Sequence, residues 1–243
     1  MRSDGQVRSA AVVGISGNHE DADTPPVVPP ERRGLIVGLT GGLATGKSTV
    51  ARMWRDRGAR VISSDETVHC LLANDADVRR EVVAAFGASV LDASGAVDRA
   101  VLGDMAFADE RLRDRLTAIL HPRTIAHHKR EMLRLAEKAP RGVVVLDSPL
   151  LFEVLLDRSV DVTVVVGAPE EAQITRAVAR SVESGRALTP DDVRRRIAAQ
   201  MPLEEKRRRA TFVIENDGSL SELEARATDV WCSLVALAAQ ADR

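Results

Sequence analysis

Residues Gly41-Gly42-Leu43-Ala44-Thr45-Gly46-Lys47-Ser48 spell a complete GxxxxGK[ST] phosphate-binding loop, and the apolar run Leu35 to Leu39 leads directly into it. The motif constrains the fold because it works only as the turn between a strand and a helix, and an amphipathic helical pattern follows it here. Each residue type has its own reason. Glycines let successive backbone N–H groups turn inward as a nest for phosphate oxygens, since a Cβ would block both the φ > 0 conformations and the close approach. Lys47 places an ammonium against the β- and γ-phosphates, Ser48 offers a hydroxyl to Mg²⁺, and the helix beginning here aims its positive dipole end at the anion. The implied ligand is a Mg²⁺–nucleoside triphosphate. It would be held by Gly41, Gly42, Leu43, Ala44, Thr45, Gly46, Lys47, Ser48 and the following Thr49.

Composition narrows what surrounds this loop. A chain of 243 residues, 44% hydrophobic and 29% charged, buries a sizeable core as one elaborated domain or two. A formal net charge of −2 argues against a dedicated nucleic-acid binder. With no tyrosine and 2% aromatics, stacking platforms for single strands are not expected either. The two cysteines, Cys70 and Cys232, are too few for a disulfide framework and lack metal-ligand spacing, which suits a reducing, cytoplasmic setting. The longest apolar stretches are strand-sized, so no membrane span is expected.

Residues 1–33 mix Gly, Ser, Asp and Glu with Pro25-Pro26 and Pro29-Pro30, and read as a disordered extension. Beyond them strand and helix signals alternate. Val143 to Leu146 and Val162 to Val166 are β-branched runs without polar alternation, as expected of strands covered on both faces of a parallel sheet. Arg60 to Ser63 and Thr211 to Ile214 bring the count to five, so the class is α/β.

Two segments interrupt the alternation. Between Asp65 and Pro140 only helical stretches occur: Ala76 to Phe86, Arg99 to Ala108, Asp109 to Leu120 and Thr124 to Lys138, with His121-Pro122 read as a helix stop. That length predicts a helical subdomain. The second interruption runs from Ser184 through Arg186 to a helix with Thr189 as N-cap, Pro190 at N1 and two aspartates in its first turn. An arginine-rich, glycine-hinged excursion there is where a lid would sit. At the C-terminus, Leu223, Ala227, Val230, Trp231, Leu234 and Ala238 share one helical face, which makes Trp231 core rather than a ligand platform.

Carboxylates at strand ends are the next candidates. Asp147 follows four apolar residues, where a metal-binding acid of a triphosphate site belongs; the alternative is a turn residue before Ser148-Pro149. Asp65 closes the second strand, placed to accept a substrate proton or hold metal; the alternative is an N-cap for the helix starting at Glu66. Arg176 and Arg180, one helical turn apart, either clamp phosphate charge or are solvated.

The chain resembles dephospho-CoA kinases. The resemblance rests on Gly38-Leu39-Thr40-Gly41-Gly42 through Lys47-Ser48-Thr49, then Val61 to Asp65, His121-Pro122, Asp147 to Glu153, Gln173 to Arg176, Ala199-Gln200 and Asn216-Asp217-Gly218. It implies a three-layer P-loop kinase fold with a five-stranded parallel sheet and transfer of the ATP γ-phosphoryl to the 3′-hydroxyl of dephospho-CoA. By the same resemblance Asp65 is the catalytic base, Lys47 and Ser48 contact phosphate and Mg²⁺, Thr40 places a hydroxyl beside the phosphates, and Arg176 clamps them. Asn216 and Gly218 would lie near the adenine. The implied organisation has a nucleotide-binding core over 34–66, 141–181 and 203–243, a CoA-side helical domain over 67–140 and a lid over 182–202.

Two departures stand out. Ser63 occupies a position where these kinases commonly carry a second aspartate, so Asp65 would act alone. Leu43-Ala44-Thr45 replaces a more usual Ile-Gly-Ser, a change expected to cost nothing essential. The competing readings are another small-molecule or nucleoside monophosphate kinase, and a non-catalytic triphosphate-binding protein that would need only the loop.

Overall fold

In the computed structural model, which describes residues 33–183, 185 and 187–240, the five apolar runs form one sheet. Its strands are β1 (Leu35–Gly41), β2 (Arg60–Ser63), β3 (Val143–Asp147), β4 (Val162–Gly167) and β5 (Phe212–Glu215), in the order β2-β3-β1-β4-β5. β1 is central and runs parallel to β3 and β4, and β4 runs parallel to β5. Every residue of β3 and β4 is buried, which explains why neither alternates polar with apolar. In register, Leu39 lies opposite Asp147, so the exit of β1 toward the glycine-rich loop sits beside the end of β3.

The core packs two helices onto this sheet: α1 (Lys47–Asp56), which continues the loop, and the C-terminal α9 (Leu220–Gln240). Trp54 of α1 is fully buried, and its indole N–H donates to the Ala227 carbonyl of α9 at 2.9 Å. Truncating such a residue to alanine costs about 3–5 kcal/mol, so this contact fixes the helix that carries Lys47. Trp231 is partly buried against the same cluster, its ring 6.2 Å from that of Trp54, as its helical spacing suggested.

The chain divides into two compact units, one of them Ile62–Leu133. That unit holds α2 (Ser64–Asn74), α3 (Ala76–Phe86), α4 (Arg99–Ala108) and most of α5 (Glu110–Glu137) around a cluster of Leu72, Val78, Val82, Phe86, Val90, Leu102 and Leu120. Side-chain oxygens of Ser63, Asp75 and Asp98 accept the first backbone N–H groups of α2, α3 and α4.

One expectation fails here. His121-Pro122 does not stop a helix, and α5 runs unbroken from Glu110 to Glu137 with Pro122 inside it. Pro122 has no N–H to offer the carbonyl four residues back, but burial outweighs that loss. Leu120, Thr124, His128, Met132 and Ala136 are all buried at four-residue spacing, a stripe that continues straight across the proline.

In the other unit, α6 (Glu170–Glu183), α7 (Pro190–Ala198) and α8 (Leu203–Arg209) separate β4 from β5. Thr189 and Asp192 cap α7 reciprocally: the threonine hydroxyl accepts the Asp192 N–H, and the aspartate accepts the Thr189 N–H. The expected extension lies outside the described residues except for Arg33, whose guanidinium forms two hydrogen bonds with Asp161, at 2.8 and 2.9 Å. Ser184 and Arg186 of the expected lid also lie outside them. Among the described residues no helix is long and apolar enough to cross a membrane, and both cysteines are free and exposed.

Candidate active site

The loop between β1 and α1 is shaped to receive an anion. Gly46 is the N-cap residue of α1, at φ 96°, and no side chain caps the helix. The first turn contains no acid, so the helix itself supplies no counter-charge to its N–H groups and the positive end of its dipole. A Cβ on Gly46 would collide with the Asn216 amide nitrogen, and one on Gly41 would come within 2.6 Å of the Val166 carbonyl. The glycines are therefore fixed by close approach as well as by backbone angle.

Asn216, buried where β5 ends, holds the crest of the loop. Its Nδ2 donates to the Thr45 carbonyl at 2.8 Å, and its own N–H is anchored on the Gly167 carbonyl at 2.7 Å. Arg176 on α6 joins this support through Nη2, which donates to the Asn216 carbonyl at 3.2 Å and reaches its Oδ1 at 3.4 Å. Its Nη1 is buried without a hydrogen-bond partner among the described residues. Gln173 on the same helix is in a similar state: Nε2 donates to the Ala168 carbonyl at 3.0 Å, and Oε1 faces Gly42 with no partner among those residues. Buried polar atoms normally find partners, so two orphans beside the loop mark a place suited to a polar ligand.

At the head of α1, the Lys47 ammonium forms an ion pair with the Asp147 carboxylate at the end of β3. Both side chains are nearly enclosed, with 12% and 9% of their surface exposed. Asp147 is thus more than a turn residue. Thr40 is fully buried, and its hydroxyl donates to the Pro149 carbonyl at 3.2 Å, while Ser48 is exposed at the start of the helix. Arg180 is exposed on α6, and Gly218 is exposed just before α9.

Leu43 and Ala44 pack beside Ile174, Ala177 and Val193 of α6 and α7, a role no loop motif announces. Ala44 adopts φ 56°, a left-handed conformation that glycine takes more readily. Replacing a more usual glycine there carries a local backbone penalty.

Asp65 belongs to the Ile62–Leu133 unit and is exposed in the first turn of α2. It does not cap that helix. The Ser63 hydroxyl does, accepting the Glu66 N–H at 3.2 Å, which gives the serine standing in place of a second aspartate a structural task. In the same unit, His121 has its pKa lowered by burial. Among the described residues no three His, Cys, Asp or Glu side chains cluster as a self-sufficient metal site.

A glycine nest leading from the central strand of a parallel sheet into an uncapped helix, with a lysine at its head and an acid on the neighbouring strand end, is the arrangement of P-loop kinases. Comparison with known proteins narrows that class. The chain belongs to the dephospho-CoA kinase family, whose model matches residues 35–222. The family reaction is the ATP-dependent phosphorylation of dephospho-CoA in coenzyme A biosynthesis. A dephospho-CoA kinase of Symbiobacterium thermophilum is 43% identical over 196 residues, covering 81% of this chain and 80% of that protein. One from Corynebacterium diphtheriae is 41% identical over 196 residues, covering 81% and 95%. Among solved structures, the Thermus thermophilus protein TT1252 is similar with a TM-score of 0.66 at 35% identity, covering 84% of this chain and 99% of that one. A dephospho-CoA kinase from Campylobacter jejuni shares the fold, with a TM-score of 0.59 at 22% identity, covering 82% and 96%.

Proposed function

We propose that the chain moves the γ-phosphoryl of ATP to the 3′-hydroxyl of the dephospho-CoA ribose, in the cytoplasm, with the following division of labour. The N–H groups from Gly41 to Thr49 receive the β- and γ-phosphate oxygens, and Thr40 lends a hydroxyl beside them. Lys47, paired with Asp147 in this structure, turns its ammonium toward the phosphates when ATP enters. The oxygen donors Ser48 and Asp147 suit Mg²⁺, a hard cation that takes one or two protein oxygens and completes its shell with phosphate and water. Such a metal would supply charge neutralisation to the phosphates. Arg176, with one guanidinium nitrogen unpartnered, and Arg180 steady the charge on the transferring group, while Asn216 and Gly218 border the adenine.

Asp65 takes the proton of the incoming hydroxyl. Ser63 relieves it of capping duty, which supports that role. We assign residues 67–140 to the CoA side and 182–202 to a lid that excludes water, since ATP would otherwise be hydrolysed. Transfer then proceeds through a loose, in-line transition state, and catalysis is positioning and charge neutralisation.

The observation that carries this reading is the Lys47–Asp147 pair at the mouth of an uncapped, glycine-fixed helix. An acceptor panel with Mg–ATP tests it: dephospho-CoA should gain one phosphate at the ribose 3′ position, and nucleoside monophosphates should gain none. Phosphorylation of a monophosphate instead would assign the chain to another kinase specificity. ATP binding with no transfer to any acceptor would make it a non-catalytic binder.

A further inference from the structure

Lys206 lies outside the loop and its neighbours, yet it is the most completely enclosed charge described: its side chain is 0% exposed. It projects from α8 to two partners. Its ammonium donates to the Pro149 carbonyl at 2.6 Å and pairs with Glu153 Oε1 at 2.8 Å. The same Glu153 oxygen accepts the backbone N–H of Met201 at 3.1 Å, at the connection from α7 into α8. The Pro149 carbonyl also accepts the Thr40 hydroxyl. One buried ammonium therefore fixes the segment that follows Asp147, shares an acceptor with the residue before Gly41, and through Glu153 holds the end of the segment assigned as lid.

Stability alone does not call for this pair. Buried ion pairs replaced by apolar side chains of similar volume are often neutral or stabilising, because desolvating both charges offsets their attraction. Packing is already supplied by Phe152, Val165 and Ala210, with Met201, Leu203 and Val213 against them. A second tie, the Arg209–Asp157 ion pair at 2.9 Å, also fastens α8 to the region after β3. What the lysine adds is direction: three donors that can meet a carbonyl and a carboxylate together.

We infer that Lys206 is a positioning residue for phosphoryl transfer. It acts through the Pro149 carbonyl on Thr40 and Asp147, and through Glu153 on Met201, so that the strand-end acid and the lid's C-terminal attachment move as one body. The inference rests on the phosphotransfer reading above.

The test compares Lys206→Met with the charge-neutral double variant Lys206→Met/Glu153→Gln, measuring kcat, KM for ATP and melting temperature against the parent. The single variant leaves half-buried Glu153 without its cation, so both melting temperature and kcat should fall, the latter about 10²-fold, the scale of a misplaced catalytic geometry. The double variant should regain the parent's melting temperature and keep KM for ATP within about threefold, while kcat stays at least about tenfold low. Recovery of kcat together with melting temperature would overturn the inference, because it would show a purely structural pair. A double variant that does not fold would overturn it too. A parent that phosphorylates no acceptor defeats both this inference and the activity it rests on, whereas a fully active double variant defeats this inference alone.

Discussion

Two lysine–carboxylate pairs bracket the segment from Asp147 to Glu153, and they differ in almost everything except chemistry. Lys47 meets Asp147 where some solvent still reaches both, at a helix N-terminus whose dipole disfavours a cation. Lys206 meets Glu153 with no exposed surface of its own, on a helix whose last turn is otherwise all arginine. The first cation opposes the dipole and is held there, among the described residues, by Asp147 alone; the second is held by a carbonyl and a carboxylate together. The contrast separates an exchangeable pair, which gives its lysine to a ligand, from a permanent one, which holds the frame in which that exchange happens.

Substitution should separate the two cleanly. Lys47→Met should lower turnover by about 10³-fold or more, and the melting temperature with it, since nearly enclosed Asp147 loses its lysine. Steady-state rates and a thermal melt check this, and a loss under tenfold would erase the distinction. Lys206→Met should lower both as well, but with the smaller loss of turnover, about 10²-fold. The stability part follows from half-buried Glu153 losing its cation, at a cost below the ~3–5 kcal/mol of a pair buried on both sides.

A third enclosed basic group sharpens the comparison because it has no carboxylate. His128 is 1% exposed, neither ring nitrogen has a hydrogen-bond partner among the described residues, and burial, with His127 adding repulsion, pulls its pKa down to about 4. The unfolded chain binds this proton near pH 6.5 and the folded chain does not, so stability is full above that pH and is lost as pH falls toward 4. The shift corresponds to about 3 kcal/mol at the acid end. Denaturant unfolding from pH 7 to 4 should show that limb in the parent and lack it in His128→Leu. An unchanged limb in the variant would mean the imidazole is paired and charged.

Much of this architecture was legible because it is local. The five strands announced themselves as β-branched runs, and Thr189-Pro190 with two aspartates marked the start of α7 to the residue. The loop carried its own chemistry in its spacing. What escaped depends on tertiary context. Pro122 looked like a terminator until a buried stripe carried α5 through it. Ser63 looked like a missing aspartate, although it is the cap that α2 needs. Ala44 looked neutral in a string of letters and takes a left-handed angle in space. Lys206 was invisible for a plainer reason: in Leu203–Arg209 every residue after the leucine is charged, and nothing in that run says which one turns inward. Gln173 and Glu153 belonged to recognisable blocks, yet only their hydrogen bonds show what they support.

The central claim is that the loop grips the nucleotide while a separate carboxylate, Asp65, serves the acceptor. Asp65→Asn, examined by calorimetry for Mg–ATP binding and by single-turnover transfer to dephospho-CoA, addresses it most directly. Binding should stay within about threefold of the parent, and transfer should fall by about 10²–10⁴-fold, the range of a lost general base. Transfer within tenfold of the parent, or loss of ATP binding in proportion to loss of rate, would contradict it.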